Sequence, residues 1–536
     1  MTSLPGPPAF APKHHPRRRV VPDVDGRRIC VVLSAVGILA AAVLVAFAGA
    51  HARGRQTVVA TAEAQRRPNV VFVLTDDLAW NLVTKRYMPH VIALEKQGMT
   101  FTNYFVTDSL CCPSRSSIFT GLVPHNTKVF KNKGEHGGYS QFLWRGLEQQ
   151  TDAAAMHRSG YLASLMGKYL NGYGKPVMTT HVPPGWDDWH GASNGYPEFN
   201  YDLNENGTIN HFGPPPPPPS NAKNYLTDVL SGRATAFINR AAKAHKPFML
   251  EVASFAPHKP YVPAPRNAND FPGLAAPRDP AFNAANSAPP KWLGDRAPLN
   301  AAQIALIDQD FRLRAQSVEA VDRLIGNIEA TLKARGLAGN TYIVFSSDNG
   351  YHMGQHRLLP GKQTAFDSDI RVPLIVAGPR VPRNRRISAF AENVDLYPTF
   401  LGLAGAKPTE TVDGRSLLPL LHATPRTRLT WRTAVVIEHR GKTGTGDPDI
   451  DYGNLSGNPT SYEAVRLPGA VYVKYLDGER EYYDIVRDPF ERHNVYGRLS
   501  AATKARLDAI LRPLTRCHGS GRTSCWQAER PQPQSP

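Results

Sequence analysis

The sequence predicts an α/β sandwich: a large, mostly parallel central sheet with helices on its faces, followed by a small antiparallel subdomain. Three observations carry this. Asn69-Val70-Val71-Phe72-Val73-Leu74 and Tyr342-Ile343-Val344-Phe345 are continuous apolar runs of the kind buried on both faces of a parallel sheet. Between such runs lie helical patterns. The clearest spans Asp308 to Leu332, with Phe311, Ala315, Val318, Val321, Leu324, Ile325 and Ile328 near helical period. After about residue 425 the pattern changes to short strands joined by turns.

Taken in order, Ile29 to Ala50 carries no charge, follows Lys13, Arg17, Arg18, Arg19, Arg27 and Arg28, and closes on Ala48-Gly49-Ala50. Residues 1–50 therefore read as a secretory signal or, uncleaved, as an N-terminal membrane anchor with its basic flank in the cytoplasm. Arg27-Arg28 is a partial match to a twin-arginine signal. Residues 51–67 read as a polar linker and 68–425 as the main α/β domain. Within it, Pro247 to Ala253 and Val372 to Ala377 are further strands. Residues 171–224, with the hexaproline run Pro214 to Pro219, are expected to be irregular, as is the Pro/Asn/Ala-rich stretch 256–300. In the subdomain, 426–515, the strands are Ala434–Ile437, Ala470–Tyr475 and Glu481–Ile485, with a turn at Asp477-Gly478. A helix follows from Ser500 to Leu511. In the tail, 516–536, the polar, Pro-rich part from Gln527 is expected to be disordered.

The 536 residues are 41% hydrophobic and 20% charged, ordinary for a globular chain, with a net charge of +17. Six Lys/Arg and two Asp lie in 1–50, so a chain cut after Ala50 keeps +13. That excess suits a polyanionic partner, and a generally Arg-rich proteome explains it equally well. No zinc-knuckle spacing, homeodomain-like pattern or aromatic-basic stripe is present, so nucleic acid is not the expected partner. Of five cysteines, Cys30 falls in the export segment and Cys111-Cys112 are adjacent. Cys517 and Cys525 are expected to close a short disulfide loop, two free surface thiols being the alternative. Asn206-Gly207-Thr208 is a glycosylation sequon.

Both long apolar strands end in oxygen donors: Thr75-Asp76-Asp77 after the first, Asp348-Asn349 after the second. In open α/β sheets, ligands bind at the carboxyl ends of strands. Clustered carboxylates repel unless a cation joins them, and an all-oxygen set favours Ca²⁺ or Mg²⁺ over zinc. The third informative stretch is Cys111-Cys112-Pro113-Ser114-Arg115, running on to Thr120-Gly121. Pro113 suits the first turn of a helix and Gly121 its end. A group at position 111 would sit by a helix N-terminus, where anions are favoured.

Cys-x-Pro-Ser-Arg followed by Thr-Gly resembles the type I sulfatase signature. The resemblance runs over roughly residues 68–500 and is greatest to the N-acetylglucosamine-6-sulfatase group. It is carried by Gly160-Tyr161, Gly167 to Asn171, Val182 to Trp186, Tyr225 to Asp228, Ala256 to His258, Ser347 to His352, Asp369 to Pro373, and Tyr482 to Asn494. It implies an alkaline-phosphatase-like fold. It also implies conversion of Cys111 to Cα-formylglycine by a formylglycine-generating enzyme. Asp76, Asp77, Asp348, Asn349 and the modified Cys111 would hold Ca²⁺, with Mg²⁺ as the alternative. Arg115 would steady the hydrated aldehyde. Lys168, His258 and Lys362 would bind sulfate or protonate the leaving oxygen, and His352 would face the substrate, a sulfated sugar or aryl sulfate. Plainer roles compete: Lys168 as a surface lysine at a helix end, His258 as a loop histidine, Lys362 in a solvated turn. His356 is a weaker candidate, and His125 reads as structural. One departure is Leu170, where many sulfatases have His; the subgroup shares it. The expected activity is hydrolysis of 6-O-sulfated N-acetylglucosamine or a related sulfated glycan by an exported enzyme, secreted or membrane-anchored. The alternatives are an arylsulfatase of broader specificity, a phosphomonoesterase or phosphodiesterase of the same superfamily, and an inactive glycan-binding protein.

Overall fold

A computed structural model describes residues 67–174, 180–214, 223–408, 410–423, 429–441, 451–519 and 524–530. The expected leader, nearly all of the linker, five of the six prolines and the 425/426 boundary lie outside them. In chain order the strands are β1 (Asn69–Thr75), β2 (Met99–Phe101), β3 (Tyr104–Phe105), β4 (Leu162–Gly167), β5 (Asp188–Ala192), β6 (Tyr201–Glu205), β7 (Thr208–Phe212) and β8 (Phe248–Ala253). They continue with β9 (Thr341–Ser347), β10 (Leu374–Ala377), β11 (Arg385–Ile387), β12 (Ala391–Glu392), β13 (Val435–His439), β14 (Tyr462–Leu467), β15 (Ala470–Tyr475) and β16 (Arg480–Asp484).

Ten strands form the central sheet, in the order β11-β2-β10-β9-β1-β8-β4-β5-β6-β7. Its centre, β9-β1-β8-β4-β5, is parallel throughout. Every residue of β1 and of β9 is buried, as their unbroken apolar runs demand. Side chains of β1 alternate between layers. Val71 and Val73 pack with the helices Leu226–Ala244 and Ala301–Ala334, while Val70, Phe72 and Leu74 face the side of the helices Cys111–Thr120 and Leu396–Ala404. The helix expected over 308–332 extends from Ala301 to Ala334, because Asn300 and Gln303 form a capping box at its start.

β10 runs antiparallel to β9 in the otherwise mostly parallel sheet. One expectation about the sheet is corrected: the 171–224 region, expected to be irregular, supplies β5, β6 and β7. These strands lack an apolar run, and β7 is mostly solvent-facing. The sequon Asn206-Gly207 forms the turn of the β6–β7 hairpin, both residues at positive φ, the conformation for which Asn-Gly is favoured.

The C-terminal sheet has four antiparallel strands, β13-β14-β15-β16. β14 was not anticipated. Val435, Ile437, Tyr462 and Ala464 pack in the same cluster as Phe72, Phe105 and Phe400, so this sheet shares the main core. The helix expected from Ser500 runs Ala501–Leu514, with Ser500 as its cap. Cys517 and Cys525 are joined in a disulfide. Residues 524–530, the described part of the tail, are ordered, contrary to the composition from Gln527: the helix Cys525–Ala528 is capped by Ser524, Arg415 lies 4.1 Å over the Trp526 ring, and Glu529 pairs with buried Arg432 at 3.0 Å. Among the described residues no helix is long and apolar enough to cross a membrane.

Candidate active site

The register of β1 against β9 sets Thr75 opposite Ser347, so the acidic ends of the two strands emerge side by side. The Asp77 N–H donates to Asp348 Oδ1 at 3.1 Å, and Asn349 Nδ2 donates to Asp77 Oδ1 at 2.7 Å. Asp77 holds a left-handed conformation, φ 64°, that few non-glycine residues adopt. Buried Arg314, from the long helix, donates to the Asp77 carbonyl at 2.5 Å and to the Pro257 carbonyl at 3.0 Å.

The helix Cys111–Thr120 starts at this strand edge with all ten residues buried, and Gly121 ends it at φ 68°. The Cys111 thiol lies 3.3 Å from Asp76 Oδ1. Ser114 Oγ donates to the Asp348 carbonyl at 2.5 Å and accepts from Asn393 Nδ2 at 2.9 Å, fixing the first turn. One turn on, Arg115 donates through Nε to Asp348 Oδ2 at 2.8 Å and through Nη1 to the Lys168 carbonyl at 2.9 Å.

Lys168, just beyond β4, reaches Asp76 Oδ2 at 2.6 Å. Lys362 reaches Asp77 Oδ1 at 2.7 Å and Cys111 Sγ at 2.9 Å. His258 Nε2 lies 3.6 Å from Asp77 Oδ2, and its Nδ1 bonds the Lys259 carbonyl at 2.7 Å. His352 is fully buried on the strand-like bridge to Gly361, with Nδ1 3.0 Å from both Asp369 oxygens. Asp76, Asp77, Cys111, Arg115, Lys168, His258, Asp348, Asn349 and Lys362 thus gather at one end of the sheet, and His352 adjoins them through Gly361, the neighbour of Lys362. Lys168 and Lys362 are at most 3% exposed, so neither is a surface or solvated lysine, and His258, which does lie in a loop, is equally buried.

His356 belongs elsewhere. It stacks on Phe366 at 3.8 Å and bonds Asn286, and burial together with His352 depresses its pKa to about 3. His125 is structural, held by Glu438 at 2.7 Å and by the Cys517 carbonyl.

Burial pushes the Cys111 thiol well above its ordinary pKa, and the Asp76 carboxylate adds to this. Burial also raises Asp76, but the charge of Lys168, then His258, Arg115 and Lys362, outweighs it and holds that carboxyl far below the usual range. Burial, with repulsion from Asp76, raises Asp348 to about 6. One ligand atom from each of Asp76, Asp77, Cys111 and His258 falls within a 4.8 Å group. Asp77 Oδ2 and Asn349 Oδ1 are buried and accept no hydrogen bond from the described residues. Carboxylate and amide oxygens with open lone pairs in a buried cluster fit a hard divalent cation.

Sequence reasoning missed Tyr196. Its ring lies 5.1 Å from Lys168 Nζ and 4.6 Å from the His258 ring, and its hydroxyl accepts from Asn171 at 3.1 Å. Nothing in its loop sequence marks it. Arg314 was also missed, although an arginine on the helix face that carries Phe311 and Val318 was a visible signal. Asp369, which orients His352, had been noted only within a motif.

A family model described as Sulfatase matches residues 68–406, which hold all of this cluster. The chain belongs to the sulfatase family. It is a sulfuric ester hydrolase. A second model, N-sulphoglucosamine sulphohydrolase, C-terminal, matches residues 354–515 of this sulfatase. Human N-acetylglucosamine-6-sulfatase is 34% identical over 489 residues, covering 86% of this chain and 87% of that one. A solved structure in complex with its substrate, D-glucosamine-2-N,6-O-disulfate, superposes with TM-score 0.70 at 22% identity, covering 84% of this chain and 98% of the other. The phosphonate monoester hydrolase of Agrobacterium radiobacter gives TM-score 0.61 at 22% identity, over 84% and 95%. These structural likenesses establish a shared alkaline-phosphatase-like fold.

Proposed function

We propose that this sulfatase removes 6-O-sulfate from N-acetylglucosamine or a closely related sulfated sugar, using a formylglycine made from Cys111 and a bound Ca²⁺, with Mg²⁺ as the alternative. The observation that carries the chemistry is the placing of Cys111 at a buried helix N-terminus, in contact with both Asp76 and Lys362. The encoded thiol is held neutral there, so it is a poor nucleophile as it stands. A hydrated formylglycine supplies two hydroxyls on one carbon, one to attack sulfur and one whose deprotonation expels sulfate.

Asp76, Asp77, Asp348, Asn349 and the modified residue 111 would hold the metal. The ion supplies positive charge against sulfate oxygens and lowers the pKa of an adjacent hydroxyl. Lys168, Lys362 and Arg115 balance the three aspartates, so the charge of a divalent ion is left to attract the sulfate monoester. Lys362 reaches both residue 111 and Asp77, and so orients the attacking group. Arg115 keeps Asp348 in place. His258, whose Nε2 lies 3.6 Å from Asp77 Oδ2 inside the cluster, is the group to hand a proton to the departing sugar oxygen.

The sugar assignment is supported by the name of the human relative and by the disulfated glucosamine bound in the similar structure. A primary 6-O position also projects from its ring and reaches a recessed site with fewer clashes. Tyr196 and Asn171, half-buried beside Lys168, are the side chains proposed to contact the sugar. Export, with maturation by a formylglycine-generating enzyme, completes the proposal. The Cys517–Cys525 disulfide suits an oxidising compartment.

The test pairs mass spectrometry of the Cys111 peptide with sulfate and phosphate release from defined substrates. Formylglycine at 111 and the highest kcat/KM on 6-O-sulfated N-acetylglucosamine are expected. Aryl sulfate as the best substrate, with that sugar inert, would overturn the sugar assignment alone. Unmodified Cys111 in active protein would overturn the formylglycine. Faster release of phosphate than sulfate would favour the phosphoesterase alternative.

A further inference from the structure

Glu251 sits at the middle of β8, itself in the middle of the sheet, and is fully buried with no hydrogen bond to either carboxylate oxygen. It lies opposite Phe72 of β1 and Leu165 of β4, so its side chain enters the layer beneath the helix Cys111–Thr120. Four other polar groups without a hydrogen-bond partner among the described residues lie on the elements around that layer. They are Asp152 Oδ2, the Tyr169 hydroxyl, Ser116 Oγ and Arg115 Nη2, all on side chains at least 99% buried. Cys112 and Phe119, one turn to either side of Ser116, pack in one cluster with Leu165, Tyr169 and Ala153, the neighbour of Asp152. Burial first, then the charge of Asp152, pushes Glu251 well above the usual carboxylate range, and Arg115 opposes this. Tyr169 feels both acids. The two carboxyls are thus near enough to repel, yet no hydrogen bond joins them.

Leaving a buried polar group unpaired destabilises a fold. Several around one layer weigh heavily on a marginally stable chain, and buried water with two to four polar partners is the ordinary remedy. We propose that Glu251, Asp152, Tyr169, Ser116 and Arg115 Nη2 line an internal water site behind the Cys111 helix, and that Glu251, acting through that water, is a positioning residue for Arg115. Arg115 has Nε on Asp348 and Nη1 on the Lys168 carbonyl, so Nη2 is the corner of the guanidinium that this site would anchor. A carboxyl holding a proton would offer a donor and an acceptor, which glutamine reproduces and leucine does not. This inference rests on the proposed role of Arg115 beside residue 111.

The test compares Glu251→Leu, Glu251→Gln, Asp152→Asn and Arg115→Ala in the mature enzyme, on a sulfate ester, with a crystal structure of the wild type at a resolution that shows ordered water. The Leu variant should lose about ten- to a hundredfold in kcat with KM nearly unchanged, and Gln should restore most of it. Ordered water within hydrogen-bonding distance of both Glu251 and Arg115 Nη2 is expected. A dry site overturns the proposal. So does wild-type kcat in Glu251→Leu, or a fall in Tm with kcat per folded molecule unchanged. If the Leu variant does not fold, Asp152→Asn decides, and wild-type kcat with an unchanged guanidinium position overturns the proposal. An active Arg115→Ala would retire the reading of Arg115 itself. An inactive one beside a wild-type-like Glu251→Leu would retire this proposal alone.

Discussion

Lys362 Nζ lies 2.9 Å from Cys111 Sγ, a contact made inside the protein by residues 251 positions apart in the chain. The same ammonium pairs with Asp77, and both are buried. Removing it takes away a group that orients residue 111 and leaves the buried Asp77 carboxylate without its lysine partner. Lys362→Ala is expected to lower kcat/KM for sulfate esters by about 10²–10⁴. Its Tm should fall in chelator and recover when Ca²⁺ is added, because the metal replaces the lost positive charge. Unchanged turnover would remove Lys362 from the site.

Cys111→Ala and Cys111→Ser should both abolish sulfate release while folding normally. A serine hydroxyl lacks the geminal oxygen that releases sulfate. Cys112→Ala should keep most activity and lose roughly 1 kcal/mol of stability, since it trims a side chain packed with Phe119 and Tyr139. Steady-state assays and thermal melts of the three variants check this; a dead Cys112→Ala beside an active Cys111→Ala would reverse the assignment.

EDTA or EGTA should inactivate the enzyme, and Ca²⁺ or Mg²⁺ should restore it. Asp348→Asn removes one negative charge from an all-oxygen set and should weaken metal binding by roughly tenfold or more. Elemental analysis of active protein and metal titration of the variant are the measurements. Stoichiometric zinc would contradict the ligand argument.

A stability prediction comes from His125. Burial lowers its pKa, but the Glu438 carboxylate 2.7 Å away outweighs that and raises it above the ordinary value. A raised folded-state pKa means the pair contributes fully below the unfolded value of about 6.5, and the contribution fades as pH climbs through the folded value. The Tm gap between wild type and His125→Gln should be widest near pH 6 and shrink towards pH 9. A gap that widens with pH would mean His125 folds neutral.

Much of this architecture was legible from residue patterns because burial on both faces leaves an unmistakable signal. β1 and β9 are unbroken apolar runs, and their register alone brings Asp76, Asp77, Asp348 and Asn349 together. The failures share a cause. β5 to β7 and β14 are short and mix polar with apolar residues, so no local run marks them. Tyr196 joins the site only because its loop folds back over Lys168. The ordered tail depends on Arg432 and Trp431, nearly a hundred positions upstream, which local composition cannot report.

The complete burial of Cys111 to Thr120 also fixes an order of events in time. A modifying enzyme needs its target segment extended and reachable, and in the folded chain this one is neither. Under the proposed maturation, the oxidation must therefore overtake folding on the newly made polypeptide. Each molecule gets one opportunity, and one that folds first is locked in the thiol form until it unfolds.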